Sequence, residues 1–273
     1  MSTPDLALGG RTGLGFGAAN RLLQHRDLLV LLVQKELKVK YKGTALGFMW
    51  SLLNPLLMMA VYALVFSVIV RFALPRYPIF LLSGLLPWTA FTSAITSATT
   101  AIVVNGHLIR KVKFPIEFLP LTSVLAALVN LVPSFAVLLV FALFYGQPLG
   151  PPLIALPVLL LLQAIFTVGI AFAVAALTVY FRDLEHLVSI ALTVWFFATP
   201  IIYPLSLFEG KRIGVLLQFN PMMWLMSGYQ AIWHENRWPD AGLLLAFAAA
   251  AVAANVAGGL VFKRLSRRLA EEV

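Results

Sequence analysis

The sequence contains no cysteine and few charged residues, and each of these features excludes some classes of protein. The absence of cysteine excludes disulfides, thiolate metal sites and a cysteine nucleophile. Charged residues make up only 11% of the 273 residues and apolar residues 61%, whereas soluble domains are about a quarter charged and about half apolar. The composition therefore indicates an integral membrane protein.

Ionisable side chains are also missing from the long apolar stretches. None of these stretches contains Asp, Glu, Lys or Arg, and the four histidines lie in or beside loops without metal-ligand spacing. A proton- or ion-coupled carrier usually needs groups that change charge inside the membrane. The phosphate-binding pattern G-x-x-x-x-G-K-[ST] is absent as well. We therefore expect no catalytic, metal or cofactor site in this chain, so a second subunit must supply the energy for any transport.

The apolar stretches predict an all-α integral membrane protein with six transmembrane helices. A span needs about 20 mainly apolar residues, and the stretches are 45–70, 79–104, 118–144, 153–180, 187–203 and 241–262. With the N-terminus in the cytoplasm, six spans place 15 of the 20 Lys and Arg residues on the cytoplasmic side. This agrees with the positive-inside rule. We expect a multi-pass protein of a bacterial inner membrane, with both termini cytoplasmic.

A seventh apolar stretch, 213–233, is interrupted by Gln218, Asn220 and Pro221. Each half is too short to cross the bilayer, and a seventh span would move the basic residues 263–273 to the outside. We interpret the stretch as a re-entrant helical hairpin on the outer side, between the fifth and sixth spans.

Four regions follow from this topology. Residues 1–20 are glycine-rich, and we expect a flexible tail there. Residues 21–44 predict an amphipathic helix in the cytoplasmic interface, because apolar residues recur every four positions from Leu29 to Tyr41. Residues 45–262 form the six-span domain, and 263–273 a basic cytoplasmic tail. The net charge of +9 then reflects topology and contact with membrane lipids, not nucleic-acid binding.

The segment between the second and third spans, NGHLIRKVKFPIE at 105–117, is short and basic. Asn105-Gly106 breaks the preceding helix and Pro115 stops any helix that follows. A basic helix of about two turns fits between them. Such a structured cytoplasmic loop suits contact with a soluble partner, although an ordinary connecting loop fits the segment equally well.

Aromatic residues make up 12% of the chain, and several lie deep in the predicted spans. Aromatic rings stack on the apolar C–H faces of sugars, so these residues are candidates to line a pathway. Packing between helices explains any one of them equally simply. The candidates for a channel lining are Phe48, Tyr62, Phe66, Trp195, Phe197 and Tyr203.

Several motifs together resemble one family. They are QKELKVKYKGTALGFMWSLLNPL at 34–56, FLLSGLLPW at 80–88, FRDL at 181–184, WFFATPIIYP at 195–204 and the Asn220-Pro221 pair. In this order they resemble the permease subunits of ABC transporters that export polysaccharides, including O-antigen and teichoic acid. The resemblance covers roughly residues 25–265.

The resemblance implies a homodimer with two copies of a separate ABC ATPase, which would bind ATP and Mg, and a lipid-linked polysaccharide as substrate. It implies a coupling helix at the ATPase, a set of basic residues at the lipid pyrophosphate, and an outer gate within 205–238. The coupling residues would be Leu108, Ile109, Arg110, Lys111, Val112, Lys113 and Phe114. The headgroup candidates are Arg26, Lys35, Lys38, Lys42 and Arg182, and the gate residues are Asn220, Pro221 and Trp224.

Two other functions fit parts of the sequence. An ABC exporter of drugs or small lipids would share the architecture but would have a less aromatic cavity. A membrane-embedded enzyme acting on lipid-linked sugars would need acidic residues at the membrane face, for which Glu117, Asp183 and Glu185 are the candidates at the cytoplasmic edge.

Overall fold

The computed structural model describes residues 26–65, 74–111, 115–208 and 210–272, and every regular element in these ranges is a helix. The α-helices are α1 Arg26–Tyr41, α2 Trp50–Ala63, α3 Tyr77–Val104, α4 Gly106–Lys111, α5 Phe118–Phe144, α6 Leu156–Tyr180, α7 Leu184–Phe197, α8 Arg212–Leu217, α9 Pro221–Trp233 and α10 Ala241–Glu272. Short 3-10 turns, Gly47–Met49, Pro151–Ala155 and Leu205–Phe208, precede α2, α6 and α8. The predicted all-α class is confirmed. The predicted tail at 1–20 and the start of the interface helix lie outside the described residues.

Four helices within these ranges are long and apolar enough to cross a membrane. They cover Tyr77–Val104, Phe118–Phe144, Pro151–Tyr180 and Ala241–Ser266, and the shortest has 26 residues. At a rise of 1.5 Å per residue that helix is about 39 Å long, which exceeds the hydrocarbon thickness of about 30 Å. The predicted second, third, fourth and sixth spans correspond to these four helices.

The predicted first and fifth spans correspond to shorter helices. α2 and α7 have 14 residues each, or about 21 Å of helix. The prediction that the fifth span continues as a helix to residue 203 is wrong, because α7 ends at Phe197. Pro200 and Pro204 follow directly, and a proline disfavours the helical conformation of the residue before it. The last residues of the predicted first span, 66–70, lie outside the described residues.

α3 is the central helix of the bundle. In the most apolar 18-residue stretch of α3, 78% of the residues are buried, compared with 17% for α10. α3 contacts α2, α5, α6, α7 and α9. Around its middle, the Phe91 ring lies 6.1 Å from Phe166 of α6 and 5.5 Å from Trp195 of α7. These apolar contacts hold the short helix α7 against the long helices.

α6 and α10 approach each other so closely that their backbones touch. A Cβ atom built on Gly258 would lie 1.8 Å from the carbonyl oxygen of Gly169, and one built on Gly169 would lie 2.4 Å from the backbone of Ala254. Asn255 Nδ2 donates a hydrogen bond to the Ile165 carbonyl at 3.2 Å. Since glycine lacks a Cβ, it permits this approach, which small residues commonly provide between membrane helices.

Candidate functional site

The break between α8 and α9 occurs where the sequence predicted it. α8 ends at Leu217 and α9 begins at Pro221, with Asn220 as its N-cap. Asn220 Oδ1 accepts a hydrogen bond from the Met222 backbone N–H at 3.0 Å, which satisfies one of the free donors of the first turn. Pro221 occupies the first helical position, where a missing N–H costs nothing.

Asn220 also joins this hairpin to the end of α7. Its Oδ1 accepts a hydrogen bond from Trp195 Nε1 at 2.8 Å, and its Nδ2 donates to the Ala198 carbonyl at 3.0 Å and to Thr199 Oγ1 at 2.9 Å. The structure thus brings together Trp195, a predicted lining residue, and Asn220, a predicted gate residue. Thr199 was not among the predicted site residues. In the sequence, only its neighbour Pro200 indicates a turn at this position. The third gate candidate, Trp224, donates from Nε1 to the Gln218 carbonyl at 2.7 Å.

Three of the other aromatic candidates, Tyr62, Phe197 and Tyr203, lie around α7. The Tyr62 ring lies 5.9 Å from Phe196, and Tyr203 Oη donates to the Phe197 carbonyl at 2.6 Å. Phe197 itself is 57% exposed, while Trp195 is half-buried against the core. The side chain of Phe48, and Phe66 altogether, lie outside the described residues. A lining role for these six residues stays a prediction.

One of the predicted headgroup candidates, Lys35, contacts the end of α3. Lys35 Nζ donates a hydrogen bond to Asn105 Oδ1 at 3.1 Å, and Asn105 Nδ2 donates to the Ala101 carbonyl at 2.8 Å. One residue along α1, Glu36 Oε1 accepts from Ser123 Oγ of α5 at 3.1 Å. The remaining headgroup candidates, Arg26, Lys38, Lys42 and Arg182, are exposed. α1 is therefore attached at the point where α3 gives way to α4.

The predicted coupling segment contains the helix α4, which begins at Gly106 directly after Asn105. Leu108 and Ile109 are half-buried, and Ile109 packs against an apolar cluster that contains Ile102, Ala176 and Phe262. This cluster joins α4 to the adjacent ends of α3, α6 and α10. The side chains of Arg110 and Lys111 lie outside the described residues, as do Val112, Lys113 and Phe114 altogether.

A cavity of about 940 Å³ lies between α1, α2, α3 and α5. α3 contributes a row of hydroxyl side chains to its wall, namely Thr89, Thr92, Ser93, Thr96, Ser97 and Thr100. The cavity is also lined by Lys35, Glu36, Trp50, Asn54, Asn130 and Ser134. This cavity was not predicted from the sequence. Its signal was the spacing of hydroxyl residues by three and four in an otherwise apolar span, which places them on one face of a helix.

These features define a multi-pass helical membrane protein with a cavity, lined in part by hydroxyl side chains, beside the most buried of its four long helices. The model of the ABC-2 type transporter family matches residues 27–233. The chain belongs to this family, and the matched region runs from α1 to the end of α9.

Three relatives support the same assignment. The chain is 43% identical over 253 residues to the O-antigen export system permease protein RfbA of Myxococcus xanthus, covering 92% of this chain and 97% of the relative. It is 33% identical over 207 residues to a protein of the same name from Klebsiella pneumoniae, covering 76% and 80%. The polysialic acid transport protein KpsM of Escherichia coli is 26% identical over 195 residues, covering 69% and 74%. The family resemblance read from the sequence motifs is confirmed.

Proposed function

We propose that this chain is the membrane-spanning permease subunit of an ABC transporter that exports a lipid-linked polysaccharide across the bacterial inner membrane. The observation that carries the proposal is the 43% identity, over 92% of the chain, to a relative named as an O-antigen export permease. A relative named for polysialic acid transport extends the same substrate class. The chain would act as a transport subunit, with ATP and Mg bound by a separate ATPase.

The proposed arrangement has six crossings, with α2 in the first and α7 in the fifth, where the non-helical residues that follow Phe197 would complete the crossing. α8 and α9 would form the re-entrant outer hairpin. Non-helical backbone is tolerated at membrane depth only where protein or a water-filled cavity covers it. The burial of α9 and the four hydrogen bonds of Asn220 support this placement. Both termini would be cytoplasmic, since 15 of the 20 Lys and Arg residues then face the cytoplasm.

The proposed assembly is a homodimer with two ATPase copies, and α4 would be the coupling helix. Movement of the ATPase can change the permease only if its nucleotide states bind the two permease conformations with different affinity. Because Ile109 packs against the ends of α3, α6 and α10, a movement of α4 would be transmitted directly to these three long helices. The hydrogen bond from Lys35 to Asn105 would carry the same movement to α1.

The substrate would enter near α1, where basic side chains at the membrane surface attract anionic headgroups. Arg26, Lys38, Lys42 and Arg182 are exposed and suited to meet a lipid pyrophosphate. Lys35 would have to break its hydrogen bond to Asn105 before it could contact the pyrophosphate. The polymer would leave past the outer hairpin.

The proposal is tested by co-purifying the chain with the ATPase encoded beside it and measuring ATP hydrolysis in lipid nanodiscs. We expect a stable complex of two permease and two ATPase copies. The variant Arg110→Ala/Lys111→Ala/Lys113→Ala should lose the ATPase or uncouple it. Lys211→Ala/Arg212→Ala removes two positive charges from the opposite side in the proposed topology, and should leave the complex intact.

Two outcomes would overturn the proposal. In one, no ATPase associates and the isolated chain turns over a lipid-linked sugar, which would support the membrane-enzyme alternative. In the other, deletion of the chain leaves the amount of surface polysaccharide unchanged. Monodisperse elution of both variants in size-exclusion chromatography serves as the folding control.

A further inference from the structure

Pro87 divides the central helix α3 into two parts, although the helix continues on both sides of it. We call residues 77–86 the outer part and residues 88–104 the inner part. A proline has no backbone N–H, so the Ser83 carbonyl one turn earlier lacks its usual helical partner. A helix interrupted in this way bends more easily at the proline than elsewhere.

The outer part of α3 is joined to the turn at 198–202, which follows α7. Tyr77 Oη donates a hydrogen bond to the Ile202 carbonyl at 2.8 Å, and both residues are buried. Two turns further along α3, a Cβ atom built on Gly84 would lie 3.3 Å from Ile201 Cγ2. The turn is therefore held against the outer part at two separate levels.

α9 is joined to the same turn. The buried Gln230 donates from Nε2 to the Pro200 carbonyl at 2.9 Å. At the start of α9, Asn220 Nδ2 donates to the Ala198 carbonyl and to Thr199 Oγ1. A shift of α9 against the turn would break these hydrogen bonds and leave buried polar groups unpaired, which is costly.

Gln163 of α6 connects this arrangement to Pro87. Its Nε2 donates to the Pro87 carbonyl at 2.9 Å, and its Oε1 accepts a hydrogen bond from Tyr229 Oη of α9 at 2.8 Å. Gln163 is 1% exposed and Tyr229 is fully buried. Since Gln163 is the only amide side chain in α6, one polar group in an apolar helix bonds to α3 and to α9 at once.

The inner part of α3 is held in another way. Three of its threonines donate their hydroxyl protons to carbonyls of α3 itself. The Phe91 ring packs against Phe166 and Trp195. Apolar packing is not directional, so it tolerates small rotations that would break a hydrogen bond. The inner part ends beside α4.

We propose that α9, the turn at 198–202 and the outer part of α3 move as one unit during export, and that Gln163 is the positioning residue at the joint where α3 bends at Pro87. The inference rests on the proposed function and names the parts that move. A movement of α4 tilts the inner part of α3, and the joint lets the outer unit respond without breaking its buried hydrogen bonds.

A disulfide within the unit tests whether it moves as one body. The chain has no native cysteine, and Gly84→Cys/Ile201→Cys brings two thiols together, because a Cβ at position 84 lies 3.6 Å from Ile201 Cα. After oxidation with copper phenanthroline, cells that depend on this variant should export as much surface polysaccharide as before. Export that stops on oxidation and returns with dithiothreitol would overturn the proposal, because it would show that the two segments must separate.

Pro87→Ala tests the joint. It restores a backbone N–H for the Ser83 carbonyl and so stiffens α3 without weakening the fold. Surface polysaccharide should fall roughly tenfold, within the usual range for coupling between distant sites, while the melting temperature does not fall and the ATPase stays bound. Pro133→Ala, in the interior of α5, is the matched control and should export normally. Normal export by Pro87→Ala, or an equal fall in both variants, would contradict the inference.

Gln163→Met tests the positioning residue, because it keeps the length of the side chain and removes both hydrogen bonds. ATP hydrolysis in nanodiscs should continue while surface polysaccharide falls, since the outer unit no longer follows α3. A merely structural role would lower hydrolysis and export together, and that result would exclude a positioning role for Gln163.

These experiments separate failure of this inference from failure of the proposed function. If deleting the chain leaves surface polysaccharide unchanged, the proposed function fails. If deletion abolishes export, but Pro87→Ala and Gln163→Met export normally, then only the jointed unit is excluded.

Discussion

At the residue scale, Asn220 connects two parts of the molecule with one short side chain. It caps α9 and holds the end of α7 through Trp195, Ala198 and Thr199. An amide suits this position because it both accepts and donates hydrogen bonds. An aspartate would keep the two accepted bonds and lose the two donated ones. Asn220 therefore acts as a positioning residue for the hairpin.

We expect Asn220→Ala to destabilise the protein by about 2 kcal/mol, since it removes a helix cap and leaves the Trp195 indole N–H without its partner. The apparent melting temperature of the purified permease in detergent measures this loss. Gln218→Ala is the matched control, because the exposed Gln218 side chain makes no hydrogen bond with another described residue. Equal melting temperatures for the two variants would contradict the role of Asn220.

At the scale of elements, the contact between α6 and α10 is the closest helix packing in the described part of the chain. It depends on Gly169 and Gly258, whose backbones leave no room for a methyl group. Phe166 packs against Phe247 and Phe172 against Phe262, each pair tilted with ring centroids 5.2 Å apart. The two helices thus combine close backbone contact with aromatic packing above and below it.

Gly258→Ala should force these helices apart and cost about 2–3 kcal/mol, the usual range for overpacking a tight contact. Gly259→Ala provides a neighbouring control, because a Cβ there meets nothing within 4 Å. That control should be neutral or slightly stabilising, since alanine favours a helix by about 1 kcal/mol over glycine. Thermal unfolding of both variants in detergent gives the comparison, and a Gly258→Ala protein as stable as Gly259→Ala would exclude the packing argument.

At the scale of the whole molecule, the number of crossings decides the side on which each loop lies. Six crossings with a cytoplasmic N-terminus place the loop at 181–186 and the end of α10 inside, and the segment 204–240 outside. The asymmetry of Lys and Arg between these segments favours this orientation. In the proposed function both ATPase contact and substrate entry depend on this orientation, because α1 and α4 would have to face the cytoplasm.

The absence of native cysteine makes this topology directly measurable with single-cysteine variants. In spheroplasts, a membrane-impermeant maleimide should label Ser206→Cys, and should label Glu185→Cys and Ser266→Cys only after permeabilisation. Export activity of each variant shows that it is folded. Labelling of Ser266→Cys from outside would place the end of α10 outside and would exclude the six-span arrangement with both termini cytoplasmic.

The sequence by itself determined the class of the fold, the long helices and the break at Asn220-Pro221. Long apolar stretches without charge have no stable place except across a bilayer, so the bounds of α3, α5 and α6 follow closely from composition. Proline and an N-capping side chain act on their immediate neighbours, which is why the start of α9 was also predictable. The family likewise followed from short motifs read in order.

Only the tertiary structure decided how distant residues meet. Trp195 and Asn220 are 25 residues apart, and their pairing requires α7 to end early and the hairpin to fold back on it. Nothing in the local sequence distinguishes Gly169 and Gly258 from other helical glycines. Their role is visible only in the close contact between α6 and α10. The row of hydroxyl side chains on α3 lines a cavity only because α1, α2 and α5 lie around it. A local pattern specifies which face of a helix is polar, whereas the surface opposite that face depends on packing between segments far apart in the chain.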